Sequence, residues 1–150
     1  MLPAAITRTL IRSLDWLSRR LPASDKSAQR HLRIGRQGEE DAYFYLRVHG
    51  YVMVARNFRS PRCRGEIDLI GWDRDVLCFI EVKTRTTRDV KPAEAAVDWH
   101  KRREVAEVAR EYRRKLPPSC QWRFDIVSVY YDRRSSRSQI ELFQNASLAA

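Results

Sequence analysis

Two apolar, β-type stretches carry acids where buried strands rarely have them: Gly65-Glu66-Ile67-Asp68-Leu69-Ile70 and Phe79-Ile80-Glu81-Val82-Lys83. Joined as a hairpin with Arg74-Asp75 at its tip, they would place Asp68 opposite Glu81, Glu66 opposite Lys83 and Ile70 opposite Phe79. Side chains alternate across a strand, so these residues share one face, while Ile67, Leu69, Cys78, Ile80 and Val82 share the other. Directly opposed carboxylates would have Cβ atoms ~5 Å apart. Acids that close hinder each other's ionisation and call for a positive partner. Lys83 is one candidate. A hard cation, Mg2+ or Mn2+, is another, because such ions keep several waters and often use only one or two protein carboxylates. With a cation on Asp68 and Glu81, Lys83 is placed to orient or deprotonate an attacking water, which is an arrangement for hydrolysing phosphate esters. The same residues would also serve as two cross-strand ion pairs, and the sequence leaves both readings open.

The elements around this pair decide what else can reach it. A helix is expected from Arg36 to Val48, with Ala42, Leu46 and His49 on one face and Tyr43 and Tyr45 at its margins. At 100° per residue Glu39 falls inside that stripe, whereas Glu40 and Asp41 point away. Glu39 is therefore a candidate outer metal ligand, although an acid also suits the helix N-terminus. Gly50 ends the helix. Strands follow at Tyr51–Phe58, Gly65–Trp72 and Val76–Lys83. A second helix is expected from Ala93 to Leu116, with Val97, Val105, Val108, Ala109, Tyr112 and Leu116 as its stripe and Lys101 near the start of it. Pro117-Pro118 stops that helix. Strands at Trp122–Tyr131 and Gln139–Phe143 complete an α-β-β-β-α-β-β order. That order suggests an α/β domain with a mixed sheet and helices on both faces.

The formal charge of +10, from 29 Lys/Arg and 19 Asp/Glu, points to a polyanionic partner. Arg56, Arg59, Arg62 and Arg64 precede the acidic pair, Arg85 and Arg88 follow it, and Lys101, Arg102 and Arg103 lie further on. Such residues contact phosphates and position a backbone without reading sequence. Residues 1–33 hold seven Lys/Arg against two Asp, half of the net charge, with Ile6, Leu10, Leu14, Leu17 and Leu21 at helical spacing and a linker at 22–27. A basic amphipathic helix can touch a membrane, a partner or nucleic acid. The plain reading is a loosely held extension with no membrane contact. Residues 147–150 are expected to fray. Cys63, Cys78 and Cys120 are widely spaced, with no CxxC and no zinc pattern, so free thiols and a cytoplasmic location are expected. Trp72 and Trp99 read as packing residues. A homodimer is left open.

Asp68 followed by Glu81-Val82-Lys83 resembles the PD-(D/E)xK signature of restriction-endonuclease-like nucleases, with Ile67 in place of the proline. More closely, Gly35-Arg36-Gln37-Gly38-Glu39-Glu40-Asp41-Ala42, Arg56-Asn57-Phe58-Arg59, the two strands above through Thr84-Arg85, Pro92-Ala93-Glu94-Ala95-Ala96-Val97, Lys101 and Arg123-Phe124-Asp125-Ile126-Val127 resemble the YraN family. That family is similar to archaeal Holliday-junction resolvases. The resemblance spans residues 34–146. It implies a restriction-endonuclease-like fold in which Asp68, Glu81 and Glu39 bind Mg2+ or Mn2+ and Lys83 serves the nucleophile, with DNA as substrate. The alternative is a DNA- or protein-binding factor that keeps the nuclease fold without turnover.

Overall fold

The computed structural model describes residues 26–86, 99–131 and 138–146. The amphipathic segment at the N-terminus, Arg88, the expected first turns of the second helix and residues 147–150 lie outside the described residues. Helix α1 covers Lys26–Val48, strand β1 Val52–Phe58, β2 Ile67–Asp73, β3 Val76–Arg85, helix α2 Trp99–Arg113, β4 Gln121–Tyr131 and β5 Ser138–Phe143. The chain divides into units 1–33 and 34–150, and the second carries the sheet. No described helix is long and apolar enough to cross a membrane.

The five strands lie in sequence order as β1-β2-β3-β4-β5. Pairing is antiparallel except between β3 and β4, which run parallel with α2 as the crossover. Each face buries its own core. On one, Val105, Val108 and Ala109 of α2 meet Ile70, Leu77, Phe79, Phe124 and Ile126. On the other, Ala42 and Leu46 of α1 meet Leu69, Cys78, Ile80, Val127 and Val129. This is the mixed α/β arrangement with helices on both faces expected for a restriction-endonuclease-like fold.

The β2–β3 register is the expected one, with Ile70 opposite Phe79 and Leu69 opposite Ile80. The two-residue tip turns without glycine because Arg74 itself takes a φ of 54°. Several boundaries differ from the sequence expectation. α1 already begins at Lys26, inside the expected linker, and α2 ends at Arg113. Beyond Arg113 the bonds tighten to i→i−3, Leu116 N–H reaching Arg113 O at 3.0 Å. α1 is also covered over a wider arc than its apolar stripe suggested. His49 is exposed, Glu40 is buried, and Asp41 accepts hydrogen bonds from Tyr131 Oη at 2.7 Å and Ser138 Oγ at 3.3 Å. Glu40 and Asp41 thus do not point away from the domain.

Candidate active site

Asp68 lies at the start of β2, where the regular ladder stops. The β2–β3 pairs end at Leu69–Ile80. Beyond that point Val82 N–H donates to Asp68 Oδ2 at 2.8 Å, so a side chain accepts from the edge of β3. β1 is irregular at the same level. Arg56 stacks on Tyr43 of α1, yet Phe58 packs on Tyr112 of α2. Between them Asn57 takes a φ of 48°, which reverses the alternation. Phe58 pairs with Ile67, and Ile67 accordingly joins the α2-side core instead of sharing a face with Leu69. Glu66, expected opposite Lys83, falls outside β2 and pairs with Arg59, whose Nε donates to Glu66 Oε2 at 2.7 Å.

Glu81 is only 2% exposed. Its Oε1 accepts from Lys83 Nζ at 2.6 Å and also ion-pairs with Lys101 of α2. Its Oε2 is buried and has no hydrogen-bond partner among the described residues. Asp68, 7% exposed, is pushed up to about 7 by burial first and then by the Glu81 charge. The Val82 N–H and the Lys101 charge oppose that rise. For Lys101, burial favours the neutral form, but the hydrogen bond to Glu81 and the charges of Glu81 and Asp68 outweigh it, so its pKa is raised. The position of α2 depends on Gly65. There φ is +97°, and a Cβ would sit 2.9 Å from Glu104 Cβ, so a side chain would push away the turn that carries Lys101.

Glu39 comes from α1 on the other face. Its neighbour Gly38 is buried, and a Cβ at that position would lie 2.0 Å from Thr84 Oγ1. Only glycine lets α1 approach β3 this closely. Glu39 is half-buried. Burial raises its pKa against a hydrogen bond from the Asn57 side chain and the charge of Arg56. Its charge still acts on Asp68. Among the described residues no three His, Cys, Asp or Glu side chains converge closely enough to hold an ion. The carboxylates placed to meet an ion directly are Asp68 and Glu81, with Glu39 set back. Two buried carboxylates with one unpartnered oxygen fit a hard divalent cation that keeps waters of its own.

The basic residues bracket this pair. Arg59, Arg62 and Arg103 pair with Glu66, Glu111 and Glu107, and their side chains are 70–84% exposed. Exposed pairs contribute little, so these guanidinium groups remain open to phosphate. Arg64 is exposed and Arg102 half-buried. Arg85 follows Lys83 on the same face of β3, and its Nε is buried without a hydrogen-bond partner among the described residues. One residue here escaped sequence reasoning. Ser128 pairs with Lys83 across the parallel ladder, is fully buried, and has a hydroxyl likewise without a partner among the described residues. Only the β3–β4 register reveals it, and no local sequence signal does.

The profile of the Uncharacterised protein family UPF0102 matches residues 38–129. A UPF0102 protein of Koribacter versatilis is 51% identical over 142 residues, covering 95% of this chain and 94% of its own. The chain belongs to this family. A UPF0102 protein of Symbiobacterium thermophilum is 43% identical over 117 residues, covering 76% of this chain and 95% of its own. One of Solibacter usitatus is 49% identical over 98 residues, covering 63% of this chain and 73% of its own. The UPF0102 match opens at Gly38, beside Glu39, and closes on Val129, so Asp68, Glu81, Lys83, Lys101 and Ser128 all lie within it.

The same UPF0102 segment holds a second charged cluster, at the other end of the strands. Arg123 Nε donates to both oxygens of Asp125 at 2.9 and 3.1 Å. Its Nη2 reaches Asp73 Oδ2 at 2.8 Å and Tyr51 Oη at 2.9 Å. Asn145 N–H donates to Asp125 Oδ1 at 2.9 Å. Asp125 is fully buried. Burial lowers the Arg123 pKa, but the bonds to Asp125 and Asp73 outweigh it and the net shift is upward. Burial, followed by the Asp125 charge, pushes the Cys78 thiol up to about 12. That thiol is inert at neutral pH, which suits a packing role.

Proposed function

We propose that this protein is a divalent-metal-dependent endonuclease hydrolysing DNA phosphodiester bonds, with branched and single-stranded DNA the substrates to test first. The observation that carries the reading is the Asp68–Glu81 pair, buried together with an unpartnered carboxylate oxygen and with Lys83 on the same face. Mg2+ or Mn2+ held by the pair would polarise a phosphate oxygen and lower the pKa of the attacking water. Glu81 also fixes Lys83, whose side chain is only 16% exposed, so its positive charge stays beside the point of attack. Val82 N–H orients Asp68 by holding one of its oxygens. Glu39 supports the site from α1 and is itself held by Asn57. Arg56, Arg59, Arg62, Arg64, Arg85, Arg88, Arg102 and Arg103 would take flanking phosphates. With about five phosphates neutralised, log K against log[salt] should slope by roughly −4 to −5.

Residues 34–146 carry this domain and residues 1–33 a basic extension. The three cysteines are free thiols, which suits the cytoplasm. A second reading has its own support. Two ammonium groups already neutralise Glu81 Oε1, and Glu39 stands back from the pair. A DNA- or protein-binding factor with a nuclease fold and no turnover would look the same in those respects. The full chain should be incubated with Mg2+ or Mn2+ and a panel of junction, flap, single-stranded and duplex DNAs. Metal-dependent cleavage that is lost in both Asp68→Asn and Lys83→Ala is expected. Tight binding without cleavage under every metal condition would select the second reading.

A further inference from the structure

We infer that the site takes one divalent cation, not two, and that Lys101 supplies from α2 the second positive charge that a two-ion site would draw from another cation. The inference rests on the metal-site reading above and adds to it a stoichiometry and a role for the helix.

The first argument is geometric. A two-ion site holds its cations ~3.5–4 Å apart, and each ion needs ligands of its own. Among the described residues no third His, Cys, Asp or Glu joins Asp68 and Glu81 closely enough to hold an ion. Of the two Glu81 oxygens, Oε1 is taken by Lys83 and Lys101, and Oε2 is the one left without a partner. One vacant carboxylate oxygen beside Asp68 is donor enough for one ion.

The second argument is charge. Glu39, Asp68 and Glu81 bring three negative charges when ionised, and Lys83 and Lys101 two positive ones. One divalent cation turns this net −1 into +1, which a single phosphodiester neutralises. Two cations would leave +2 uncompensated with the phosphodiester bound, at a pair, Asp68 and Glu81, that is less than a tenth exposed. Excess charge of that size is strongly disfavoured out of water.

The two lysines then differ in kind. Lys83 is 16% exposed and held by its own strand. Lys101 is 44% exposed and reaches Glu81 from the helix, so it is the less confined of the two. It is the lysine that can release Glu81 and follow the phosphate.

The test is calorimetric titration of the full chain with Mn2+, with electron paramagnetic resonance of the bound ion, for wild type, Lys101→Gln and Glu81→Gln. Wild type should take one Mn2+ per chain, with an uncoupled spectrum. Lys101→Gln should bind Mn2+ about tenfold more tightly, because a competing positive charge is gone, while cleaving DNA more slowly. Two ions per wild-type chain with a coupled-pair spectrum would overturn the inference and leave the metal site standing. So would an unchanged affinity in Lys101→Gln. No Mn2+ binding by wild type, or equal binding by Glu81→Gln, would overturn the carboxylate site and the inference together.

Discussion

Two clusters of buried charge sit at opposite ends of β2 and β3, and they are built differently. At the Asp73 end, Arg123 binds both oxygens of Asp125 and also reaches Asp73 and Tyr51, while Asn145 N–H adds a further bond to Asp125. At the Asp68 end, Glu81 has two lysines on one oxygen and, among the described residues, no partner on the other, and the pKa of Asp68 is driven upward. Burying charge is unfavourable unless it is paired and hydrogen-bonded. The Arg123 cluster meets that condition from within the chain. The Asp68–Glu81 cluster meets it only in part, and the shortfall is on the acidic side. A structural network closes on itself, whereas the Asp68–Glu81 cluster is left one partner short, which is what the proposed cation site needs.

The comparison can be broken by mutation. Glu81→Gln or Asp68→Asn should reduce metal-dependent DNA cleavage by at least about 10³-fold, since the cation's contribution is several kcal/mol and each 1.36 kcal/mol is tenfold. Cleavage assays at saturating Mn2+ check this. Arg123→Met should do the reverse, lowering unfolding stability by ~3–5 kcal/mol because Asp125 is left buried without its partner. Urea unfolding reads the loss. Rates of the folded fraction near wild type would complete the contrast, and a loss of stability equal to that of a surface mutation would remove it.

The pH dependence sharpens it further. The pKa of Asp68 is raised in the folded protein to about 7 from 3.8. The folded state therefore holds a proton that the unfolded state releases between those values. With a chelator present, stability should fall as pH rises from about 4 to about 7 and then level off, by at most a few kcal/mol. Asp68→Asn should flatten this slope, as thermal unfolding across pH would show.

Much of this was legible from alternation. The acids at Asp68 and Glu81, the β2–β3 register and the polar end of an apolar pair follow from a period of two and a two-residue tip. Lys101 could be placed on the inward stripe of its helix by counting. What could not be read depends on contacts distant in sequence. Ser128 comes beside Lys83 only through the parallel pairing of β3 with β4. Glu66 leaves its expected partner because the β2–β3 ladder ends at Leu69–Ile80 and Glu66 falls outside β2. Glu40 and Asp41 turn inward because the domain wraps further round α1 than the apolar stripe alone implies. In Arg123-Phe124-Asp125 the acid and base two residues apart were visible, but Tyr51, just before β1, and Asp73, at the end of β2, which complete the cluster, are distant in sequence.

The smallest expected effect concerns how α1 is seated. Gly38→Ala should lower stability by ~1–2 kcal/mol, as overpacking against Thr84 outweighs the better helix propensity of alanine. Adding Thr84→Ala should restore part of the loss, because it removes the atom that clashes. No recovery in the double variant would mean that Gly38 is not what lets α1 approach β3.

The proposed cation site at Asp68 and Glu81 can be tested directly. Crystals of the full chain soaked in Mn2+ should give one anomalous difference peak per chain, within bonding distance of both Asp68 and Glu81. No peak at that pair at millimolar Mn2+, with Lys83 and Lys101 still on Glu81, would contradict the account.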